Sequence, residues 1–456
     1  MSASVFLLWL VSIPLAIHAL PQSRDYLLSC GSNAEIEEGS LKYVPDNDYI
    51  STGNTTTLTR TDILPRLQTL RFFPNANARK HCYTFPVIRG ARYLVKTVYF
   101  YGGFDGGKVP PVFDQIIDGT KWTTVNTTED FAGGGSSYYE VVVAAQSKSL
   151  SVCLARNQQT AAGSSPFISS VEVHYLESSV YNSTNFDRAM LMTVARSRFG
   201  SQDDEIISYP DDIYNRLWDS FKEEGSPFVS SQSKVNPTAF WNIPPEKAFA
   251  SAVTASRGKN VTVKWPGFPL SSGFYYIGLY FQDNRSPSPY SWRVFDVEIN
   301  GQMFFQNINA TESGQGVVGT NWPLSGQTVL NLSPALNSPV GPLINAAEIL
   351  QLLPFGSRTL ARDAVAMEEV KKELGNPPED WTGDPCMPLP HSWTGLSCTP
   401  GEPIRVLSLN LTGYGLSGKL SPSIARLTAI TNIWLGDNKL SGKIPDLSPL
   451  KALETL

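Results

Sequence analysis

Two kinds of residue grouping in this chain could do chemistry. The first is aromatic. Tyr99, Tyr101, Phe104 and Asp105 fall within YFYGGFDGG, and Tyr138-Tyr139 follow in the next strand-like run. Carbohydrate recognition needs flat aromatic faces for C–H surfaces and polar groups for hydroxyls, so these residues are candidates for a sugar site. The competing reading is packing: strand aromatics usually face a core, and Gly102, Gly103, Gly106 and Gly107 then simply shape a turn. The second grouping is acidic. Glycoside hydrolysis needs two carboxylates facing one another across a cleft. Asp114, Asp118, Asp296 and Glu298 alternate along strand-like runs but recur in two similar segments, which favours structural roles. Asp203, Asp204 and Glu205 read as a solvated cluster before a turn. With no nucleophile–base constellation, the chain is expected to bind and not to catalyse. His81, His174 and His391 are not at ligand spacing, so neither a metal nor another cofactor is expected.

The elements that must position these residues are mainly β. From 24 to 354, short aromatic and β-branched runs such as ARYLVKTVYFYG, SSYYEVVVAA and FYYIGLYFQD are separated by Gly/Pro/Asn/Ser turns. The region is duplicated. Phe113-Asp114 matches Phe295-Asp296, Tyr99-Phe100 matches Tyr280-Phe281, and PFISSVEVHYL from Pro166 matches PLINAAEILQLLP from Pro342. The motifs keep their order at nearly constant offset, which predicts two tandem antiparallel β-sandwiches, 24–180 and 185–354, joined near 178–185. A helix is expected over Thr359–Leu374, with Val365, Met367, Val370 and Leu374 as its apolar stripe and Gly375-Asn376-Pro377-Pro378 as its stop. With the Cys386–Cys398 loop it would form a cap over 359–400.

Residues 404–456 carry a leucine-rich repeat. Leu409, Leu411, Leu416, Gly418 and Leu420 recur 24 residues later as Ile433, Leu435, Leu440, Gly442 and Ile444, and a third copy starts at Leu453. A repeat cannot bury its apolar face alone, so an array that stops at Leu456 is expected to be incomplete. Asn438 stands where an amide ordinarily bonds the repeat's turn; Tyr414 takes that place one repeat earlier. The concave face around Ser408, Asn410, Asn432 and Trp434 offers a second binding surface, with Trp434 as its anchor.

Composition sets the compartment. The 456 residues are 41% hydrophobic and 17% charged with net charge −5 and no Lys/Arg run, which disfavours nucleic acid and anionic membrane as partners. Ser4–Ala19 is uncharged, rich in Leu, Val and Ile, and ends in small residues, so 1–19 reads as a signal peptide although a basic start is missing. No later stretch is long and apolar enough for a span. Asn-x-Ser/Thr acceptors at Asn54, Asn126, Asn182, Asn260, Asn309, Asn331 and Asn410 agree with secretion; an eighth, Asn284, is weakened by Pro287. Cys386 and Cys398 suit a local disulfide, and Cys82 with Cys153 is the preferred pairing among the remaining three, although Cys30 leaves alternatives open.

Taken together, SCGS at Ser29–Ser32, HCYTFP at His81–Pro86, PFISSVEVHYL, FDVEING at Phe295–Gly301, WTGDPCMPLPHSWTGLSC at Trp381–Cys398 and the LxGxIP element at Leu440–Pro445 resemble the extracellular part of plant malectin-like leucine-rich-repeat receptor kinases. The resemblance implies two malectin-like sandwiches and repeats, followed in the family by one membrane span and a serine/threonine kinase. Neither is represented in these residues: no Gly-rich phosphate loop, HRD or DFG motif occurs. It implies a cell-wall glycan, a peptide or a co-receptor protein as partner at the outer face of the plasma membrane. A secreted decoy or a cell-wall lectin is the alternative, and a glycoside hydrolase is less favoured.

Overall fold

The computed structural model describes residues 25–222, 225–286, 289–290 and 292–456, so the expected signal peptide lies outside the described residues. The first sandwich uses β1 (Tyr26–Ser29), β2 (Ile36–Glu38), β3 (Leu41–Pro45), β4 (His81–Pro86), β5 (Arg92–Tyr99), β6 (Phe113–Ile117), β7 (Thr120–Val125), β8 (Ser137–Ala144), β9 (Ser149–Arg156) and β10 (Ser170–Leu176). The second uses β11 (Ala189–Phe199), β12 (Val261–Lys264), β13 (Leu270–Phe281), β14 (Trp292–Ile299), β15 (Gln302–Thr311), β16 (Gln315–Gly326), β17 (Val329–Pro334) and β18 (Ala346–Pro354).

The two sandwiches are fused edge to edge. One sheet runs β2-β3-β1-β10-β5-β8-β11-β18-β13-β16, with Asp219–Phe221 branching off β11. The seam is the antiparallel pairing of Val141 and Val142 on β8 with Met192 and Leu191 on β11. The facing layers stay separate, β4-β9-β6-β7 under the first half and β12-β17-β14-β15 under the second. Each half therefore has its own apolar core, one around Tyr83, Tyr99, Phe113 and Phe167, the other around Trp265, Phe281, Phe295 and Ile349.

The duplication recurs at the level of backbone chemistry. Gly31 and Gly200 sit at φ +76° and +74°, and an added Cβ would lie 2.4 Å from the carbonyl oxygen of Leu70 and of Ala252 respectively. Only glycine fits such a left-handed, backbone-to-backbone approach. The β6–β7 and β14–β15 hairpins turn on Asp118-Gly119 and Asn300-Gly301, all at positive φ, the residue types that two-residue hairpins favour. This accounts for the recurrence of a polar residue at Asp118.

Glu172 on β10 and Glu348 on β18 occupy equivalent places and are fully buried. Glu172 meets Lys96 Nζ at 2.8 Å and accepts bonds from Tyr43, Asn215 and His174. Glu348 accepts from Tyr280, Asn242, Tyr181 and Arg196. Buried charges require such compensation. Both His174 nitrogens face carboxylates, Asp25 at 3.2 Å and Glu172 at 2.9 Å, so both donate from an imidazolium. Burial alone would lower its pKa, but the bonds to Asp25 and Glu172 hold it above the ordinary value. A raised histidine adds stability below its unfolded value of about 6.5, and that gain is lost as pH rises through the folded pKa. The stability advantage of the native chain over His174→Gln is expected to be largest near pH 5.5 and to shrink with rising pH, measured by urea unfolding. An advantage that grows with pH would contradict the charged pairing.

The chain then returns to the first sandwich. Phe355 bonds Arg188 and Gly356 bonds Thr120 on β7. Helix α1 spans Ala361–Glu373, slightly shorter than Thr359–Leu374. Its buried stripe is Ala366, Met367 and Val370, while Val365 points outward, 52% exposed. Those residues share one core with Trp381, Trp393, Cys386 and the repeat leucines Leu409, Leu411 and Leu416. Strands β19 (Val406–Asn410) and β20 (Asn432–Trp434) pair in parallel, Ser408 opposite Asn432, at the 24-residue period. Asn438 bonds the turn as its type requires: Nδ2 donates to Leu411, Leu435 and Gly436 carbonyls and Oδ1 accepts from Leu416 N–H. Disulfides join Cys82 to Cys153 and Cys386 to Cys398, and Cys30 is buried and free.

Candidate functional site: a trough between the first sandwich and the repeats

The aromatic group predicted from sequence belongs largely to the core. Tyr99 and Tyr101, two residues apart, point to the same inner face, where Tyr99 meets Phe113 and Phe167 edge-on and Tyr101 meets Phe104 and Phe131 edge-on and Phe167 at a tilt. Their ring faces are therefore occupied. The Tyr101 hydroxyl and Gly107 N–H both bond Asp105, which tightens the glycine turn. Tyr138 is half-buried and bonds Asp219 at 3.2 Å, while Tyr139 packs on Tyr99 and closes the Asn126 turn. No open stacking platform forms from this set. Trp434, in contrast, stays exposed on β20 directly opposite Asn410.

The carboxylates also find structural partners. β14 alternates strictly, with Phe295, Val297 and Ile299 inward, so Asp296 and Glu298 face outward, bonding Asn307 N–H and the Asn331 amide. Asp114 is the equivalent of Asp296, yet it is buried, with Lys121, Thr124 and Asn157 of its own sandwich and His391 of the C-terminal unit around it. It bonds Lys121 at 2.8 Å, Thr124 and Asn157, and lies 3.5 Å from His391 Nε2. Burial works against its charge, but Lys121 and Asn157 hold it below the ordinary carboxylate range. Burial pushes the neighbouring His391 imidazole down, so it stands neutral beside Asp114 at neutral pH. Asp118 accepts from Ser151 N–H and pairs with Arg358; its burial raises its pKa. Asp203 pairs with Arg198, Asp204 with Lys222 and Glu205 with Lys247. Among the described residues no group of three His, Cys, Asp or Glu could hold a metal ion.

Between the first sandwich and the C-terminal unit runs an open trough. Its first part, about 820 Å³, is lined by Arg79, Asp114, Lys121, Arg156, Gln159 and His391. A second part, about 780 Å³, continues over Thr394, Gly395, Ser408, Asn410, Thr412 and Tyr414. Arg79 lines both, so the two parts are one surface. Its walls are held in register by bonds across the contact: Arg79 N–H to Asp380, Arg79 Nη1 to Ser392 Oγ at 2.7 Å, and the buried Lys80 Nζ to the carbonyls of Asp384 and Met387. Of the four residues the sequence placed on the concave repeat face, Ser408 and Asn410 line the trough while Asn432 and Trp434 do not; Arg79, Lys121, Arg156, His391 and the half-exposed Tyr414 were missed.

Of seven predicted acceptor asparagines, five fall at strand ends, turns or loops, while Asn309 and Asn331 lie within β15 and β17; six are exposed, and Asn331 is half-buried with its amide bonded to Glu298. No helix of the described residues is long and apolar enough to cross a membrane.

Residues 28–352 match the model of the malectin-like domain. The chain belongs to the malectin-like family. This malectin-like chain is 28% identical over 470 residues to a probable LRR receptor-like serine/threonine-protein kinase of Arabidopsis thaliana, covering 97% of the chain and 48% of that protein. It is 30% identical over 406 residues to a putative leucine-rich repeat receptor-like serine/threonine-protein kinase of the same plant, covering 86% of the chain and 44% of the relative. The chain thus spans about half the length of the curated relatives it matches. Among solved structures, the ANXUR1 extracellular domain of Arabidopsis thaliana superposes with a TM-score of 0.60 at 17% identity, over 72% of this chain and 97% of that one. A chain from the complex of plant peptide RALF23 with FER and LLG2 superposes with a TM-score of 0.58 at 18% identity, over 73% and 96%. At such identity these likenesses show the fold alone.

Proposed function

We propose that this chain is the extracellular recognition region of a plant receptor-like kinase and that the trough takes a peptide or protein partner. The trough carries the reading: one continuous surface shared by a malectin-like sandwich and the repeat segment, with Tyr414 in its wall and the exposed Trp434 beside it, opposite the trough-lining Asn410, as aromatic anchors. One structural neighbour comes from a crystal structure of a plant peptide in complex with FER and LLG2, which supports the same class of ligand. Sugar binding by Tyr99, Tyr101, Phe104, Asp105, Tyr138 and Tyr139 is less favoured, because the best of those ring faces are packed. Within this reading the units are 24–180, 185–354, 359–400 and 404–456, the chain works by binding, and it enters the secretory pathway. Kinase activity belongs to the relatives' names.

The test is capture of secreted plant peptides and proteins on the purified chain, with an oligosaccharide array alongside. A reproducible polypeptide partner is expected, its affinity falling ~10-fold or more on Tyr414→Ala or Trp434→Ala, equivalent to about 1.4 kcal/mol each. Oligosaccharide binding untouched by either substitution, with no polypeptide captured, would overturn the proposal.

A further inference from the structure

The first part of the trough has a counterpart in the second sandwich, and the strand registers align the two. In the first sandwich Ile117 pairs with Thr120 and Val152, and Phe113 with Arg156. In the second, Ile299 pairs with Gln302 and Leu330, and Phe295 with Pro334. Asp114 therefore corresponds to Asp296, Lys121 to Met303 and Arg156 to Pro334. Both cations stand only in the copy on which the C-terminal unit docks, and docking adds His391 and fixes Arg79 beside them.

Charge does not balance there. The lining holds the cations Arg79, Lys121 and Arg156 and a single carboxylate, Asp114, although the chain as a whole carries −5. Asp114 is already committed to Lys121, Thr124 and Asn157. Neither guanidinium meets a carboxylate: Arg156 donates to the carbonyls of Ser164 and Ala161, and the Arg79 side chain donates to Ser392. A guanidinium has more N–H donors than these bonds use, so both keep a set for a ligand. No Tyr, Trp or Phe lines this part, so a sugar ring finds no face to stack on. Asn157, Gln158 and Gln159 offer amide donors and acceptors, which suit a peptide backbone. The predicted glycan acceptors stay outside it, Asn410 belonging to the second part.

Building on the trough as a peptide or protein site, we infer that the segment it takes is acidic, its Asp or Glu carboxylates held by Arg79, Arg156 and Lys121. Bonds between guanidinium and carboxylate are of the charge-assisted, stronger class. The excess positive charge supplies the specificity: a basic segment is repelled, and a neutral one leaves the arginines unpaired.

The test selects a displayed random peptide library on the full chain and measures the affinity of synthetic winners. Winners are expected to carry several Asp or Glu, to weaken as NaCl rises from about 50 mM to about 500 mM, and to bind ~10-fold or more weakly to Lys121→Gln/Arg156→Gln. Gln158→Glu/Gln159→Glu is expected to weaken them alike. Both glutamines are exposed, so this variant decides the matter if the first fails to fold. Arg156→Lys, which keeps the charge, retains most of the affinity. Acidic winners indifferent to both pairs of substitutions overturn the inference. So do neutral or basic winners; if Tyr414→Ala weakens these, the trough as a peptide site still stands. A polygalacturonate oligomer that binds and is weakened by the same substitutions, with no acidic winner, makes the partner a polysaccharide and overturns it. The absence of any winner overturns it as well.

Discussion

Replacing Arg196 by methionine is expected to lower the stability of the chain by about 3–5 kcal/mol, the range for leaving buried charges without their partner. Arg196 lies on β11 at the seam and is almost wholly buried. Its guanidinium bonds Glu140 on β8 at 2.7 Å and Glu348 on β18 at 3.3 Å, and packs 5.6 Å from the centre of the Trp218 ring. Glu140 belongs to the first sandwich and Glu348 to the second, so one cation neutralises a carboxylate from each. Methionine fills much the same space but leaves both buried acids without the cation they share. Urea unfolding monitored by tryptophan fluorescence reads the loss. Adding Glu140→Gln and Glu348→Gln to the methionine variant removes the stranded charge and is expected to restore at least half of it. A loss below about 1 kcal/mol would mean the acids protonate or hydrate at little cost, and would contradict an ion-paired seam.

That seam explains why edge fusion was not legible in the sequence while duplication was. The offset of 176 that aligns Pro166 with Pro342 also aligns Glu172 with Glu348, so a charged residue recurring inside two apolar strands was a readable sign of a buried ion. The pairing of Val141-Val142 with Leu191-Met192 has no comparable sign. It involves two residues on each strand, and nothing in their alternation says which edge they will meet. The aromatic run was ambiguous for a related reason. A period of two puts Tyr99 and Tyr101 on the same face but does not say whether that face is core or solvent. The glycine turn of YFYGGFDGG looked like a ligand loop, and the bond from Tyr101 to Asp105 turns it into a brace.

The trough was the least legible part. Its basic groups come from segments near 79, 121 and 156, and its aromatic Tyr414 from the repeats, so only the return of the chain onto β7 brings them together. The cap sequence did predict a disulfide and a helix. It carried no sign that the unit would dock on the first sandwich, because that contact is made by Lys80 and Arg79 on main-chain carbonyls and polar side chains, which carry no sequence periodicity.

Trp381→Ala is the sharpest probe of that docking. The Trp381 ring is fully buried, stacked on Trp393 with centroids 5.1 Å apart, and its Nε1 donates to the Thr394 carbonyl at 2.9 Å. Its neighbour Asp380 accepts from Arg79 N–H and from Thr394. Removing the ring opens a large cavity between α1, the disulfide loop and β19, at a cost of about 3–5 kcal/mol. The first and second sandwiches are tied by continuous sheet and buried ions, whereas the C-terminal unit meets the first mainly through polar contacts. The loss is therefore expected to be local: amide exchange accelerates across 359–456 by roughly 10²–10⁴-fold, while β5, β8, β11 and β18 keep their protection. Uniform acceleration in all three units would instead make the chain one cooperative block, with the polar docking surface as strong as the seam. In the local case the trough loses its Thr394–Tyr414 wall in the opened state, so partner binding weakens in proportion to the opened population.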